Sequence, residues 1–379
     1  MTYLDHNATS PLRAEAKEAT ERALAIGGNA SSVHSKGRAA RALIEQSRTK
    51  VAALAGARTE DVIFTSGGTE ANALGLWGAV QGAADAGIRL TRLFVSAVEH
   101  ESVLANAAAL SERFAGLRLE TVPTTDNGVI DLDALRRLMS EGKGRALIAL
   151  MAANNETGVV QPVAEAAALA RESGALLFVD GVQAAGKIAL PQADYLTLSA
   201  HKIGGPQGVG ALVLHEGAPF APQILGGGQE SGRRAGTENL PGIAGFGAAA
   251  QMAARDVGGS AALRDRFEAG LMRLAPEAVI FGATAARLAN TSNFALPGMT
   301  AETALMALDL YGVMMSSGAA CSSGKVKPSH VLRAMGVDPE LARCALRASF
   351  GWNSEAADAD AALASLSILL ARARERAAA

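Results

Sequence analysis

The chain has 379 residues and a mass of 38.6 kDa, enough for two domains or one large domain with an appendage. Hydrophobic residues make up 49% and charged residues 19%, with a mean hydropathy of +0.17, which excludes intrinsic disorder and supplies a sizeable core. Lys and Arg number 35 against 37 Asp and Glu, a net charge of -2, so neither a nucleic-acid footprint nor a polybasic membrane patch is expected.

Short runs rich in Val, Ile, Leu and Phe recur along the first two thirds, at Asp61–Thr65, Arg92–Ser96, Arg118–Val122, Ala146–Met151, Ala175–Val179, Tyr195–Leu198 and Ala211–Leu214. Helical stretches separate them. The one from about Arg38 to Ala55 sets Leu43, Ile44, Val51 and Leu54 on one face and ends at Gly56. This alternation predicts an α/β architecture with a parallel sheet. Leu240 to Ala254 is the longest low-charge stretch, too short and too interrupted to span a bilayer. From about Met252 the texture changes to a helix, apolar runs at Ala278–Phe281 and Thr291–Leu296, a Gly/Ser-rich loop, the run Ala345–Phe350 and an Ala-rich helix, the pattern of a smaller α+β unit. Two cysteines, Cys321 and Cys344, are too few for a disulfide scaffold, and Asp5 interrupts any secretory leader, so the expected location is the cytoplasm.

No Walker A loop, His-Glu-x-x-His, Cys-x-x-Cys or Gly-x-Ser-x-Gly pattern occurs, which disfavours nucleotide hydrolysis, zinc proteolysis and α/β-hydrolase chemistry. Instead, polar clusters follow the carboxyl ends of five predicted strands: Ser66-Gly67-Gly68-Thr69-Glu70, Glu99-His100, Asn154-Asn155-Glu156, Asp180-Gly181-Val182-Gln183 and Ser199-Ala200-His201-Lys202. Ligands bind at that edge of open α/β sheets. Gly67-Gly68-Thr69 opening a helix suits a phosphate. Asp180, at the end of an apolar run, needs a cationic partner such as a protonated ring nitrogen. Lys202, between Ser199-His201 and Gly204-Gly205-Pro206, has the setting of a Schiff-base lysine, and the three together describe pyridoxal phosphate.

The stretches Tyr3-Leu4-Asp5-His6-Asn7-Ala8-Thr9, Thr65-Ser66-Gly67-Gly68-Thr69-Glu70, Asn154-Asn155-Glu156-Thr157-Gly158, Ser199-Ala200-His201-Lys202, Gly226-Gly227-Gly228-Gln229-Glu230 and Arg234-Ala235-Gly236-Thr237-Glu238-Asn239 resemble those of cysteine desulfurases of the NifS and IscS type. So does the loop Ser316-Ser317-Gly318-Ala319-Ala320-Cys321-Ser322-Ser323-Gly324, and the likeness runs essentially end to end. The resemblance implies the fold type I of pyridoxal-phosphate-dependent transferases. Residues 13–250 would form the large cofactor-binding domain, and residues 1–12 with 251–379 the small domain that carries the cysteine loop. It also implies that Lys202 anchors the cofactor and His100 stacks on its ring. Asp180 would pair with the ring nitrogen, and Gln183 would bond the ring hydroxyl. Gly68, Thr69, Ser199 and His201 would surround the phosphate, with Thr237 reaching the partner's cofactor in a homodimer. Asn155 and Arg347 would take the substrate carboxylate, and Cys321 would be the nucleophile that receives sulfur from L-cysteine as a persulfide for an iron–sulfur scaffold or another acceptor protein. No metal is implied.

The sequence departs from the family's usual pattern at Ala30, Ala152, Gln207 and Ala319-Ala320, none at a chemical step. A selenocysteine lyase or aminotransferase of the same fold is the alternative activity. Considered alone, His215 reads as a strand-end surface residue, His6 and His34 stay open between loop and site, Cys344 reads as a buried small hydrophobe, and Arg347 could be a structural ion-pair residue.

Overall fold

The computed structural model describes residues 1–142, 144–256, 259–318 and 328–378. All seven predicted runs become strands of a single sheet, in the order Val62–Thr65, Gly210–Leu214, Tyr195–Ser199, Leu176–Asp180, Arg145–Met151, Leu90–Ser96, Arg118–Val122. The sheet is mainly rather than wholly parallel, because Gly210–Leu214 runs antiparallel to both neighbours. Only residues 200–209 separate it from the preceding strand, too few for the crossover helix that a parallel connection requires. All other strands therefore point their carboxyl ends to one edge, where the five polar clusters meet.

Strand periodicity explains why both faces are buried. Leu147 and Ala149 face the helices Gly68–Asp85 and Glu101–Arg113 together with Ile63 and Phe178, whereas Ile148 and Leu150 join Phe64, Val179 and Leu198 on the other side. That second side is covered by Ala14–Ile26, Ser35–Ala55 and Leu240–Ala253. The helix Ser35–Ala55 buries Ile44 and Val51 and closes on a left-handed Gly56, as the pattern predicted. The low-charge stretch proves to be the helix Leu240–Ala253, buried along most of its length and packed on both Ala14–Ile26 and Ser35–Ala55. Its small residues permit that approach: a Cβ on Gly247 would lie 2.7 Å from Ser47 Cβ. Among the described residues no helix is long and apolar enough to cross a membrane.

Beyond residue 260 a four-stranded antiparallel sheet, ordered Ser316–Ser317, Ala345–Ser349, Thr291–Ala295, Val279–Ile280, packs with the helices Ala261–Leu274, Ala301–Leu310 and Ala356–Ala378 around Phe267, Phe294, Leu346 and Phe350. Leu4 inserts into this core, because Thr2–Tyr3 pairs in parallel with Val313–Met314. From there residues 5–13 run back to the large sheet, where Ser10 N donates to His201 O and Arg13 N to Gly204 O. The helices Ala301–Leu310, His330–Ala334 and Pro339–Ala342 occupy a region read from sequence only as strand and loop. Cys321, with Ala319 and Ala320, lies outside the described residues.

Candidate active site

At the common strand edge a cavity of about 270 Å³ is lined by Asn7, Ala8, Gly68, Thr69, Asn72, His100, Ser102, Met151, Ala153, Asn155, Asp180, Val182, Gln183, Ser199, His201 and Lys202. Nine of the twelve site residues named from sequence are thus brought together, and Cys321 lies outside the described residues. Thr237 and Arg347 are not on this wall: Thr237 is exposed, and Arg347 is fully buried beside it. An adjoining depression of about 280 Å³ shares Gly68, Thr69, Ser199 and His201 with the first, so the residues expected around a phosphate form the passage between the two.

Asp180 ends its strand buried, with Oδ1 accepting from Val182 N at 2.9 Å and Oδ2 from Asn72 Nδ2 at 2.8 Å. Both donors are neutral, so the carboxylate keeps its full charge at the cavity wall and calls for a cation there. Asn72 was not singled out from sequence. Its Nδ2 also donates to Ser102 Oγ at 2.9 Å, while its Oδ1 accepts from Thr197 Oγ1 at 2.6 Å. A polar residue on the sheet-facing side of a helix otherwise built from Ala71, Leu74 and Gly75 is the signal that marks it.

His100 caps the helix Glu101–Arg113, its Nδ1 accepting from Ser102 N at 3.1 Å, which leaves the ring proton on Nε2. Burial, aided by the charges of Lys202 and His330, holds it below the usual imidazole range, so it presents a neutral ring. His201 is pushed down to about 4 by burial and by Lys202 and Lys187, and its Nδ1 lies 2.9 Å from Thr9 Oγ1. Lys202 Nζ donates to Asn7 O at 2.7 Å and Ala8 O at 2.8 Å, and Gln183 Nε2 donates to the same Asn7 carbonyl at 2.8 Å. The N-terminal segment thereby supplies acceptors that sequence reading did not anticipate.

Glu99, directly before His100, is fully buried; Oε1 accepts from Ser96 Oγ and Met151 N, whereas Oε2 has no partner among the described residues. Burial, reinforced by Asp180, pushes it up to about 8, which favours the neutral acid at pH 7. Glu70 at the mouth is bound through both oxygens to Arg234, at 2.8 and 3.1 Å, which offsets a charge that would otherwise repel an anion at Thr69.

Arg347 Nη2 donates to Asp5 Oδ1 at 2.6 Å and Nη1 to Asn155 O at 2.9 Å; its Nε has no partner among the described residues. His34 is a helix cap accepting from Gly37 N, and His6 packs edge-on to Tyr3 beside Ser10, so neither lines the cavity. His215 is exposed at a strand end, and Cys344 is buried with Sγ 3.4 Å from Glu340 O, as read from sequence.

The donor set fits pyridoxal phosphate: an amine at the wall, a buried carboxylate held only by neutral donors, and a helix N-terminus with a hydroxyl. The family model for class V aminotransferases matches residues 2–362. The chain is thus a pyridoxal-phosphate-dependent enzyme of that family. It is 44% identical over 365 residues to a cysteine desulfurase of Cereibacter sphaeroides, covering 94% of this chain and 92% of the relative. It is also 39% identical to an IscS-like cysteine desulfurase of Mycobacterium tuberculosis, over 100% of this chain and 98% of the other. A solved NifS-like protein from Rickettsia africae superposes with a TM-score of 0.86 at 32% identity, covering 97% and 98% of the two chains. Within the class V family the chain belongs to the cysteine desulfurases, and the alternative of an aminotransferase or selenocysteine lyase is not favoured.

Proposed function

We propose that the cavity beside Lys202 binds pyridoxal phosphate with Lys202 Nζ as its covalent anchor. In this reading Gly68, Thr69, Ser199 and His201 would hold the phosphate, Asp180 the ring nitrogen, Gln183 and Asn155 the ring hydroxyl, and His100 would stack on the ring. The observation that carries it is the convergence of these side chains on one cavity wall, with no cation paired with Asp180 among the described residues. When bound, the cofactor supplies an electron sink for the pair released at the substrate Cα. Asp180 keeps the ring nitrogen protonated. Lys202, once the amine of L-cysteine has displaced it, takes the Cα proton. Arg347 meets the substrate carboxylate by exchanging one carboxylate, that of Asp5, for another. The thiolate of Cys321 attacks the substrate sulfur; an S–S bond forms as the Cβ–S bond breaks, and the electron pair goes to Cβ, where a proton is taken up. Lys202 returns a proton to Cα, L-alanine leaves, and Cys321 keeps a persulfide.

The same reading makes the enzyme a cytoplasmic homodimer in which exposed Thr237 reaches the partner's cofactor phosphate. The persulfide sulfur passes to an iron–sulfur scaffold or another acceptor protein. Residues 13–250 form the cofactor domain, and residues 1–12 with 251–379 the cysteine-bearing one, in keeping with the separate apolar cores around the two sheets. With sulfur-labelled L-cysteine the purified enzyme is expected to release alanine and carry label on Cys321. Alanine formed without protein-bound sulfur, or label on Cys344, would overturn the assignment.

A further inference from the structure

A lysine that this mechanism does not use, Lys187, stands four residues beyond Gln183, half-buried on an adjoining cavity of about 320 Å³ that Lys202 also lines. Its Nζ donates to Gln183 Oε1 at 2.9 Å and to Gln183 O at 3.0 Å. The two ends of the Gln183 amide are therefore distinguished from both sides. A protonated amine can only donate hydrogen bonds, so the end facing Lys187 is Oε1; the Asn7 carbonyl can only accept, so the end facing it is Nε2 whatever the charge of the lysine. Nε2 carries two hydrogens, one on Asn7 O and one without a partner among the described residues.

We propose that Lys187 is a positioning residue that locks the Gln183 amide with its N–H end toward the cofactor's ring oxygen. The proposal rests on the reading of Gln183 as the partner of that oxygen. Without Lys187 the amide keeps only its bond to Asn7 O, a single pivot about which it rotates, and the donor presented to the ring is no longer fixed. The lock holds in either charge state of the lysine. Burial, with the positive charges of Lys202 and Arg347, pulls Lys187 down to about 7, yet a neutral amine still has two N–H groups, enough for both bonds.

The test compares Lys187→Met, Lys187→Arg, Gln183→Ala and the double variant Gln183→Ala/Lys187→Met by two readouts other than turnover: the affinity of apo-protein for pyridoxal phosphate and the visible absorbance of the bound cofactor. Lys187→Met is expected to weaken cofactor binding about tenfold, the size of one well-placed hydrogen bond, and to move the band toward that of Gln183→Ala. Lys187→Arg should restore both, and the double variant should be no worse than Gln183→Ala. Penalties that multiply in the double variant overturn the proposal, as does an unchanged band and affinity in Lys187→Met while Gln183→Ala changes both. A loss confined to the melting temperature of apo-protein marks a purely structural lysine and overturns it too. If Gln183→Ala alone changes nothing, the reading of Gln183 fails and that of Lys187 falls with it. Should the methionine variant fail to fold, Lys187→Leu is scored by the same criteria.

Discussion

Truncating Asn72 to alanine removes three hydrogen bonds at one point beneath the cavity: those to Asp180 Oδ2, Ser102 Oγ and Thr197 Oγ1. All four residues are buried, so water does not simply take the place of the amide. Two of the bonds are between neutral groups, worth about 1 kcal/mol each, and the third is to a carboxylate at about 1.5–3 kcal/mol, so the variant should lose about 3.5–5 kcal/mol. At a slope of roughly 3 kcal/mol per molar urea or steeper, the unfolding midpoint of apo-protein should fall by about 1 M. Asn72→Asp is the informative control. It preserves size and the acceptor for Thr197, but sets a second carboxylate oxygen against Asp180, so it should be less stable than Asn72→Ala and retain less cofactor. Urea unfolding followed by circular dichroism, with cofactor content read by absorbance, checks both. A midpoint shift below about 0.3 M for Asn72→Ala, or an aspartate variant more stable than the alanine one, would refute the view that this amide holds Asp180 in place.

Lys202→Ala should abolish turnover and the protein-linked cofactor absorbance, because among the described residues no other lysine lines the cofactor cavity; denaturation followed by absorbance of the separated protein checks it. Arg347→Lys should raise the Michaelis constant for L-cysteine at least about tenfold with a smaller fall in kcat, since an ammonium cannot make the two parallel bonds of a guanidinium; steady-state kinetics decide. Cys321→Ser should stop alanine and persulfide formation while L-cysteine still perturbs the cofactor spectrum, and Cys344→Ser should lower stability rather than turnover. Glu99, raised to about 8 in the fold from an ordinary 4.5, binds a proton that the unfolded chain has lost, so its contribution to stability is complete below pH 4.5 and disappears as pH rises through 8. Glu99→Gln should flatten that alkaline decline in urea titrations between pH 5 and 9. His6 and His201, both lowered to about 4 from 6.5, act in the opposite direction, with stability present above pH 6.5 and lost as pH falls toward 4.

The large sheet was legible because its strands are buried on both faces and therefore read as continuous apolar runs, as in Leu147-Ile148-Ala149-Leu150. The reversal of Gly210–Leu214 left no mark in its composition; only the short connection carries it. Beyond residue 296, the helix Ala301–Leu310 stayed hidden because its exposed side carries Met306 and Leu310, which blurs the polar face that helical periodicity relies on. In the site, charged and imidazole groups at strand ends were recognisable from position alone. Asn72 and the carbonyls of Asn7 and Ala8 act through partners distant in the chain, and a backbone acceptor has no side-chain signature at all.

The first ten residues have a bearing on biosynthesis. Thr2 and Tyr3 pair with Val313 and Met314, His6 N donates to Ser349 O, and Asn7 N to Ser349 Oγ, while the Asn7 and Ala8 carbonyls receive Lys202. During translation this segment therefore cannot complete its docking until the chain beyond residue 349 has followed. The seven-stranded sheet can assemble from residues 62–214 well before then, yet Lys202 lacks the two acceptors that orient it. Residues 2–10 thus act as a clasp that ties the orientation of Lys202 to strands formed late in the chain.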